Sequence, residues 1–185
     1  MVVLSQPDYG GRIIMLKKFE KIIKGVINLT HKQTKKAQFS PDTGFYYVTD
    51  GYRVVRFADK INDLPLFEDG EKTYNCSRQY ELVNEVEYDA LEIPYTVEQI
   101  KAWRKENAKS KIPFKLGTFV RTSLSSLWIG INPKFLIEAM ETTGSNILFI
   151  PQKGKQLIMQ GNGFDWIIMP VALQGYESDK HMTEI

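Results

Sequence analysis

Two dipeptides, Asp50-Gly51 and Asn162-Gly163, each divide runs of strong strand formers: FYYVT from YRVVRFA, and KQLIMQ from FDWIIMPVAL. Glycine accepts the positive φ that a tight reversal needs, and Asp or Asn before it completes the hairpin signal. Each hairpin has a companion one strand upstream. Pro41-Asp42-Thr43-Gly44 joins KKAQFS to the first pair, and Lys153-Gly154 joins NILFIP to the second. Each set of three strands follows a helical stretch, and each helix follows a short apolar run, RIIM at 12–15 and SLWIGI at 126–131. The order strand, helix, strand, strand, strand therefore occurs twice. The two units read as a degenerate internal duplication, visible in element order rather than in residue identity.

The first helix, expected over 15–29, places Leu16, Phe19, Ile22, Ile23, Val26 and Ile27 on one side. Lys17, Lys18, Lys21 and Lys24 lie on the other. The second is bounded by Asn132 as N-cap, Pro133 at the first helical position and Gly144 as C-terminal stop. Phe135, Leu136, Ala139 and Met140 supply its buried side, and its polar side mixes Lys134 with Glu138 and Glu141. Trp128 and Trp166 alternate with apolar neighbours and are expected in the core.

Between the halves, residues 59–125 do not repeat and read as an inserted connector. RQYELVNEVEY, 78–88, alternates as a strand would, with Tyr80, Leu82, Val86 and Tyr88 on one side. YTVEQIKAWRKENAKS reads as a helix with Thr96 as N-cap and Gln99 closing a capping box. The single domain so defined covers 1–185: a first half at about 11–58, the connector at about 59–125, a second half at about 126–173, and a tail at 174–185.

Charge is unevenly distributed. Residues 1–58 carry ten Lys and Arg against four Asp and Glu, whereas 59–98 carry three against eleven. Cys76 is the only cysteine, so no internal disulfide forms, which fits a reducing, cytoplasmic setting. His31 and His181 have no ligand-spaced Cys or carboxylate cluster beside them, so no metal is expected, and no cofactor motif is present. There is no G-x-S-x-G elbow and no G-x-x-x-x-G-K-[ST] loop, and Cys76 has no histidine partner in the pattern. The expectation is a protein that is not an enzyme. The N-terminal stretch lacks a signal-peptide pattern, and no apolar run has the length to cross a bilayer.

One constellation carries more. VTDGYRVVRF near the start, and INPKFLIEAMETTGSNILFI with GFDWIIMPVAL near the end, together resemble the bacterial DNA sliding clamp, the beta subunit of DNA polymerase III. Thr49, Asp50, Gly51, Tyr52, Arg53 and Val54 match a T-D-G-[HY]-R-[LV] hairpin. Ile168, Met169, Pro170, Val171 and Leu173 match a closing V-[IV]-M-P-[MV]-x-L strand. The resemblance covers about 11–58 and 126–173.

The resemblance implies an α+β clamp-like domain of two β-α-β-β-β halves with their helices on one face of the sheet, several copies of which would surround double-stranded DNA as a homo-oligomeric ring. Lys17, Lys18, Lys21 and Lys24 would meet phosphate without reading sequence. It also implies a docking site for a short apolar peptide of a DNA polymerase or another replication protein. That site would comprise Thr49, Gly51, Tyr52, Arg53, Val54, Ile167, Met169, Pro170 and Val171. In the family the hairpin and the Met-Pro strand come from neighbouring domains. The expectation is therefore that Thr49, Gly51 and Val54 of one copy face Ile167, Met169 and Val171 of the next. The alternative is a monomeric interaction or regulatory module that keeps the fold and never encircles DNA.

Overall fold

The computed structural model describes residues 20–26, 36–61, 64–68, 75–84, 88–107, 114–119, 126–151 and 156–171. Helix α1 occupies 20–26. It is followed by β1 (Gln38–Ser40), β2 (Phe45–Thr49), β3 (Arg53–Phe57), α2 (Cys76–Asn84), β4 (Tyr88–Glu92), α3 (Val97–Glu106) and β5 (Phe114–Phe119). The remainder is β6 (Ser126–Ile131), α4 (Pro133–Thr143), β7 (Ile147–Pro151), β8 (Leu157–Gly161) and β9 (Phe164–Ile168). The strand expected at 12–15, the Lys153-Gly154 turn, the side chain of Trp128 and the tail at 174–185 lie outside the described residues, as do Lys17 and Lys18.

Seven strands form one antiparallel sheet in the order β1-β2-β3-β9-β8-β7-β4, and β5 pairs with β6 in a second. The seam between the chain's two ends is β3 against β9, in register from Arg53 opposite Ile168 to Phe57 opposite Phe164. Local chemistry accounts for the turns and helix ends. Asn162 and Gly163 both take positive φ, as a two-residue hairpin turn requires. Asn132 Oδ1 accepts from Lys134 N, and Gly144 closes α4 in the left-handed conformation with its N–H on Met140 O. Thr96 and Gln99 exchange the two bonds of a capping box at the start of α3.

Alternation along the strands divides the sheet into two faces. Val48, Val55, Phe57, Leu157, Met159, Trp166 and Ile168 pack with Ile23 and Val26 of α1, Ile100 and Trp103 of α3, and Leu136, Ile137, Ala139 and Met140 of α4. Trp166 is fully buried, and its Nε1 donates to Thr142 Oγ1 at 2.8 Å, which ties the sheet to α4. Helices α1 and α4 thus share one face of the sheet, as the resemblance implied.

Intermediate residues on the strands, Tyr47, Val54, Ile158 and Ile167, point the other way and pack under Cys76 and Tyr80. These two belong to a helix, α2, in a segment whose alternation predicted a strand over 78–88. Two forces override that alternation. Asn75 Oδ1 accepts from Arg78 N at 3.1 Å, capping the first turn. Cys76 and Tyr80, four apart, then place both buried side chains on one helical stripe. Among the described residues of that segment, strand structure is at Tyr88, the first residue of β4.

The stretch between the halves is built into the body. β4 lines β7 at the sheet edge, and β5 pairs along the whole of β6. Lys101 of α3 reaches Glu141 of α4. Residues 64–68 run beside β1 through Ala37 N to Pro65 O and Phe67 N to Ala37 O.

Candidate functional site

The reversal between β2 and β3 is organised by side chains within four residues of it. Thr49 Oγ1 donates to Arg53 O at 2.7 Å and accepts from Gly51 N at 3.0 Å. Asp50 Oδ1 accepts from the backbone N–H groups of Tyr52 and Arg53, both at 3.1 Å. Asp50 Oδ2 accepts from Arg53 Nε at 2.8 Å. Gly51, at φ 86°, supplies the one conformation in this turn that a side chain would disfavour. The polar side chains of the TDG sequence are thus spent on their own turn, and Tyr52 projects from it, 67% exposed.

β9 continues past this turn as an irregular strand. Met169 N donates to Tyr52 O, and Val171 N donates to Gly130 O, each at 2.8 Å. The second bond joins the chain's end to β6 and so links the two sheets. Pro170, between them, has no N–H to satisfy. The result is an apolar surface on which Tyr52, Met169 (37% exposed) and Val171 (39% exposed) lie along one seam. Among the described residues the other large exposed apolar side chains, Phe39 and Leu66, lie at the β1 edge.

The expected docking residues divide into two groups. Tyr52, Met169, Pro170 and Val171, with Gly51, are accessible. Thr49, Arg53, Val54 and Ile167 are buried. Val54 and Ile167 are cross-strand neighbours under α2, so they form its bed rather than a pocket wall. Arg53 points to the helix-bearing face. There its guanidinium pairs with Asp50 and Glu138 and stands 4.2 Å from the Phe135 ring centroid and 5.5 Å from that of Trp166. The hairpin and the Met-Pro strand, expected to meet across two copies, meet here as adjacent strands of one chain.

On α1, Lys21 and Lys24 are exposed, opposite the buried Ile23 and Val26. The two acids of α4, Glu138 and Glu141, are both engaged. Glu138 pairs with Arg53 and lies 3.8 Å from Lys134 Nζ, and Glu141 accepts from Lys101 Nζ at 2.6 Å. That hydrogen bond raises the Lys101 pKa above its ordinary value. Sequence reasoning missed Glu138 as the partner of Arg53, and their separation of 85 positions leaves no local signal.

Tyr80, also missed, anchors α2. Its hydroxyl donates to Asp165 O at 2.7 Å and lies 3.2 Å from Val54 O, and its ring packs against Arg56, which pairs with Asp165. Burial pushes the Tyr80 phenol well up and the Cys76 thiol up to about 12, so Cys76 is held as an inert thiol. Among the described residues no group of three or more His, Cys, Asp or Glu could hold a metal ion, and no helix is long and apolar enough to cross a membrane.

No family model matches the chain, and neither does any curated protein. Solved structures do. The Helicobacter pylori beta clamp bound to a DNA ligase peptide superposes with a TM-score of 0.53 at 18% identity, covering 86% of this chain and 64% of that one. DNA polymerase III subunit beta from Borrelia burgdorferi, in complex with a natural product, gives 0.53 at 14% identity over 93% of this chain and 65% of its own. A putative DNA polymerase III beta subunit from Eubacterium rectale gives 0.50 at 12%, over 85% and 64%. The chain spans under two thirds of the length of the clamps it matches, and at these identities the likeness is one of fold.

Proposed function

We propose that this chain, which has the α+β fold of the bacterial DNA sliding clamp, is a non-catalytic tether of DNA replication. It would dock a short apolar peptide of a polymerase or another replication protein on Tyr52, Met169, Pro170 and Val171, with Thr49 and Gly51 shaping the turn. The observation that carries the reading is the end of the β3–β9 seam on a clamp fold, where Met169 N bonds to Tyr52 O and the side chains of Tyr52, Met169 and, two residues on, Val171 are exposed. Met suits such a surface because its flexible thioether adapts to varied partners. The Helicobacter pylori neighbour was solved with a DNA ligase peptide, which supplies a probe. In the same proposal Lys21 and Lys24, continued by Lys17 and Lys18, screen the phosphates of double-stranded DNA inside a cytoplasmic homo-oligomeric ring. The engagement of Glu138 and Glu141 by Arg53 and Lys101 favours such a face, because it reduces the negative charge that α4 would present.

A second reading, a monomeric module that does not encircle DNA, draws on the same seam. Because both parts of the docking surface belong to one chain, the surface needs no second copy. Light scattering decides between the two: a closed ring has a mass several times 21.3 kDa, and the module has that mass once. The docking surface itself is tested with the fluorescein-labelled DNA ligase peptide. Met169→Asp is expected to abolish its binding while circular dichroism and melting stay unchanged, since Met169 projects from the core. Binding retained by this variant refutes the assignment of the surface.

A further inference from the structure

We propose that Arg53 is the positioning residue of the Tyr52–Met169–Val171 surface, fixing the exposed turn to helix α4 without touching the docked peptide. The inference rests on the reading of that surface as a docking site.

Arg53 and Tyr52 are consecutive yet opposite in environment: the Arg53 side chain is wholly buried, whereas Tyr52 is among the most open large side chains described. Asp50 couples them. One of its carboxylate oxygens holds the Arg53 Nε, and the other holds the backbone N–H groups of both Tyr52 and Arg53. The orientation of Asp50 therefore fixes the backbone from which the Tyr52 ring springs. Arg53 in turn fixes Asp50 and is itself held from outside the hairpin, by Glu138 on the middle of α4 and by the ring of Phe135 one turn earlier. Tyr52, Asp50, Arg53 and Glu138 thus form one continuous chain of contacts from the apolar surface to a helix on the far side of the sheet. Tyr52 O, which accepts from Met169 N, carries that constraint onto the Met-Pro strand.

The energetics favour positioning over stability as the reason for this arrangement. A buried ion pair commonly returns no more stability than apolar side chains of similar volume would, because two charges must be stripped of water. Here the cost is raised further, since among the described residues Arg53 Nη2 is buried with no hydrogen-bond partner. A group so expensive, whose polar contacts among the described residues are the turn and α4, contributes direction: a planar fork can hold Asp50 on one side and Glu138 on another at the same time, which an ammonium cannot.

The experiment separates direction from stability. Arg53→Met combined with Glu138→Leu replaces the pair by apolar groups of similar size. The variant leaves the buried Asp50 carboxylate without its guanidinium partner and is expected to melt below the wild-type temperature. Below that melt, as folded protein, it is expected to bind the labelled DNA ligase peptide about tenfold more weakly, a loss within the range of couplings between contacting residues. Wild-type affinity in the folded double variant overturns the proposal. Should that variant fail to fold, Arg53→Lys and Glu138→Gln provide the measurement. Arg53→Lys keeps the charge but not the fork, so its affinity is expected to fall as well, and full rescue by lysine is equally fatal. Binding by wild type that Met169→Asp abolishes and the pair variants leave intact removes this inference alone. No binding by wild type removes the docking reading, and this inference with it.

Discussion

The Cys76 thiol makes the attachment of α2 measurable. It is buried under the helix it begins, and burial raises its pKa from 9.0 to about 12. The folded state thus keeps the proton while the unfolded chain releases it. A raised folded pKa contributes stability that is complete below pH 9 and is lost as pH climbs from 9 toward 12. From pH 8 to pH 10 the unfolded thiol passes from about one-tenth ionised to about ten-elevenths, and the folded thiol hardly ionises. The stability lost over that interval is about 1 to 2 kcal/mol. With a urea dependence of about 2 kcal/mol per molar, the unfolding midpoint should drop by about 0.5 to 1 M. Tyr80 also has its pKa raised, from an ordinary value of 10.0, and adds a loss with the same sign as pH passes 10. The comparison that isolates the thiol is Cys76→Ala. Its packing defect lowers stability equally at both pH values, and Tyr80 titrates in both proteins. The drop from pH 8 to pH 10, measured in reductant, should therefore be smaller in the variant by about 1 to 2 kcal/mol. Equal drops in the two proteins would show that the thiol is not buried as described, and that α2 does not lie on Tyr47, Val54 and Ile167.

Two further outcomes are expected. Lys21→Glu with Lys24→Glu should weaken retention of double-stranded DNA and flatten its dependence on salt, since each lost phosphate contact removes about one unit from the log–log slope; an unchanged slope in a filter-binding series would exclude α1 from that face. Gly161→Ala should destabilise the fold by about 1 to 3 kcal/mol in urea, because a β-carbon there falls within clashing distance of the Thr143 carbonyl oxygen at the end of α4; wild-type stability would mean that the β8–β9 hairpin does not abut the helix end.

What could be read in the sequence follows a physical division. Helix ends and reversals rest on residues three or four positions apart. Asn132 with Pro133 and Gly144, Thr96 with Gln99, Asp50 with Gly51 and Asn162 with Gly163 therefore announce themselves, and the structure has each element where they place it. The four strands around the two Gly turns, β2, β3, β8 and β9, follow from the same chemistry. The error at α2 shows the limit of periodicity. Tyr80, Leu82, Val86 and Tyr88 alternate well enough for a strand, and the deciding facts are a cap at Asn75 and a sheet surface from other parts of the chain waiting to be covered.

Which of the proposed docking residues are exposed could not be read from the sequence. Alternation assigns Tyr52 and Val54 to one side of β3, and Ile167 and Met169 to the same side of β9, so all four look equally available to a partner. They are not, because Tyr80 and Cys76 cover the Val54–Ile167 pair and stop short of Tyr52 and Met169. Arg53 presents the converse case. A charged residue in an exposed-looking turn reads as a contact, yet it belongs to the inward set with Val55 and Phe57, and an acid on α4 lets it remain there. Both outcomes depend on contacts between segments far apart in the chain: α2 with the outer face of β3 and β9, and α4 with the first turn. The same long-range contacts reduce a nine-residue motif to the four side chains and one glycine that a partner can reach. Recognition at this seam should accordingly tolerate changes at Val54 and Ile167 that preserve packing, and be sensitive at Tyr52 and Met169, where the surface is open.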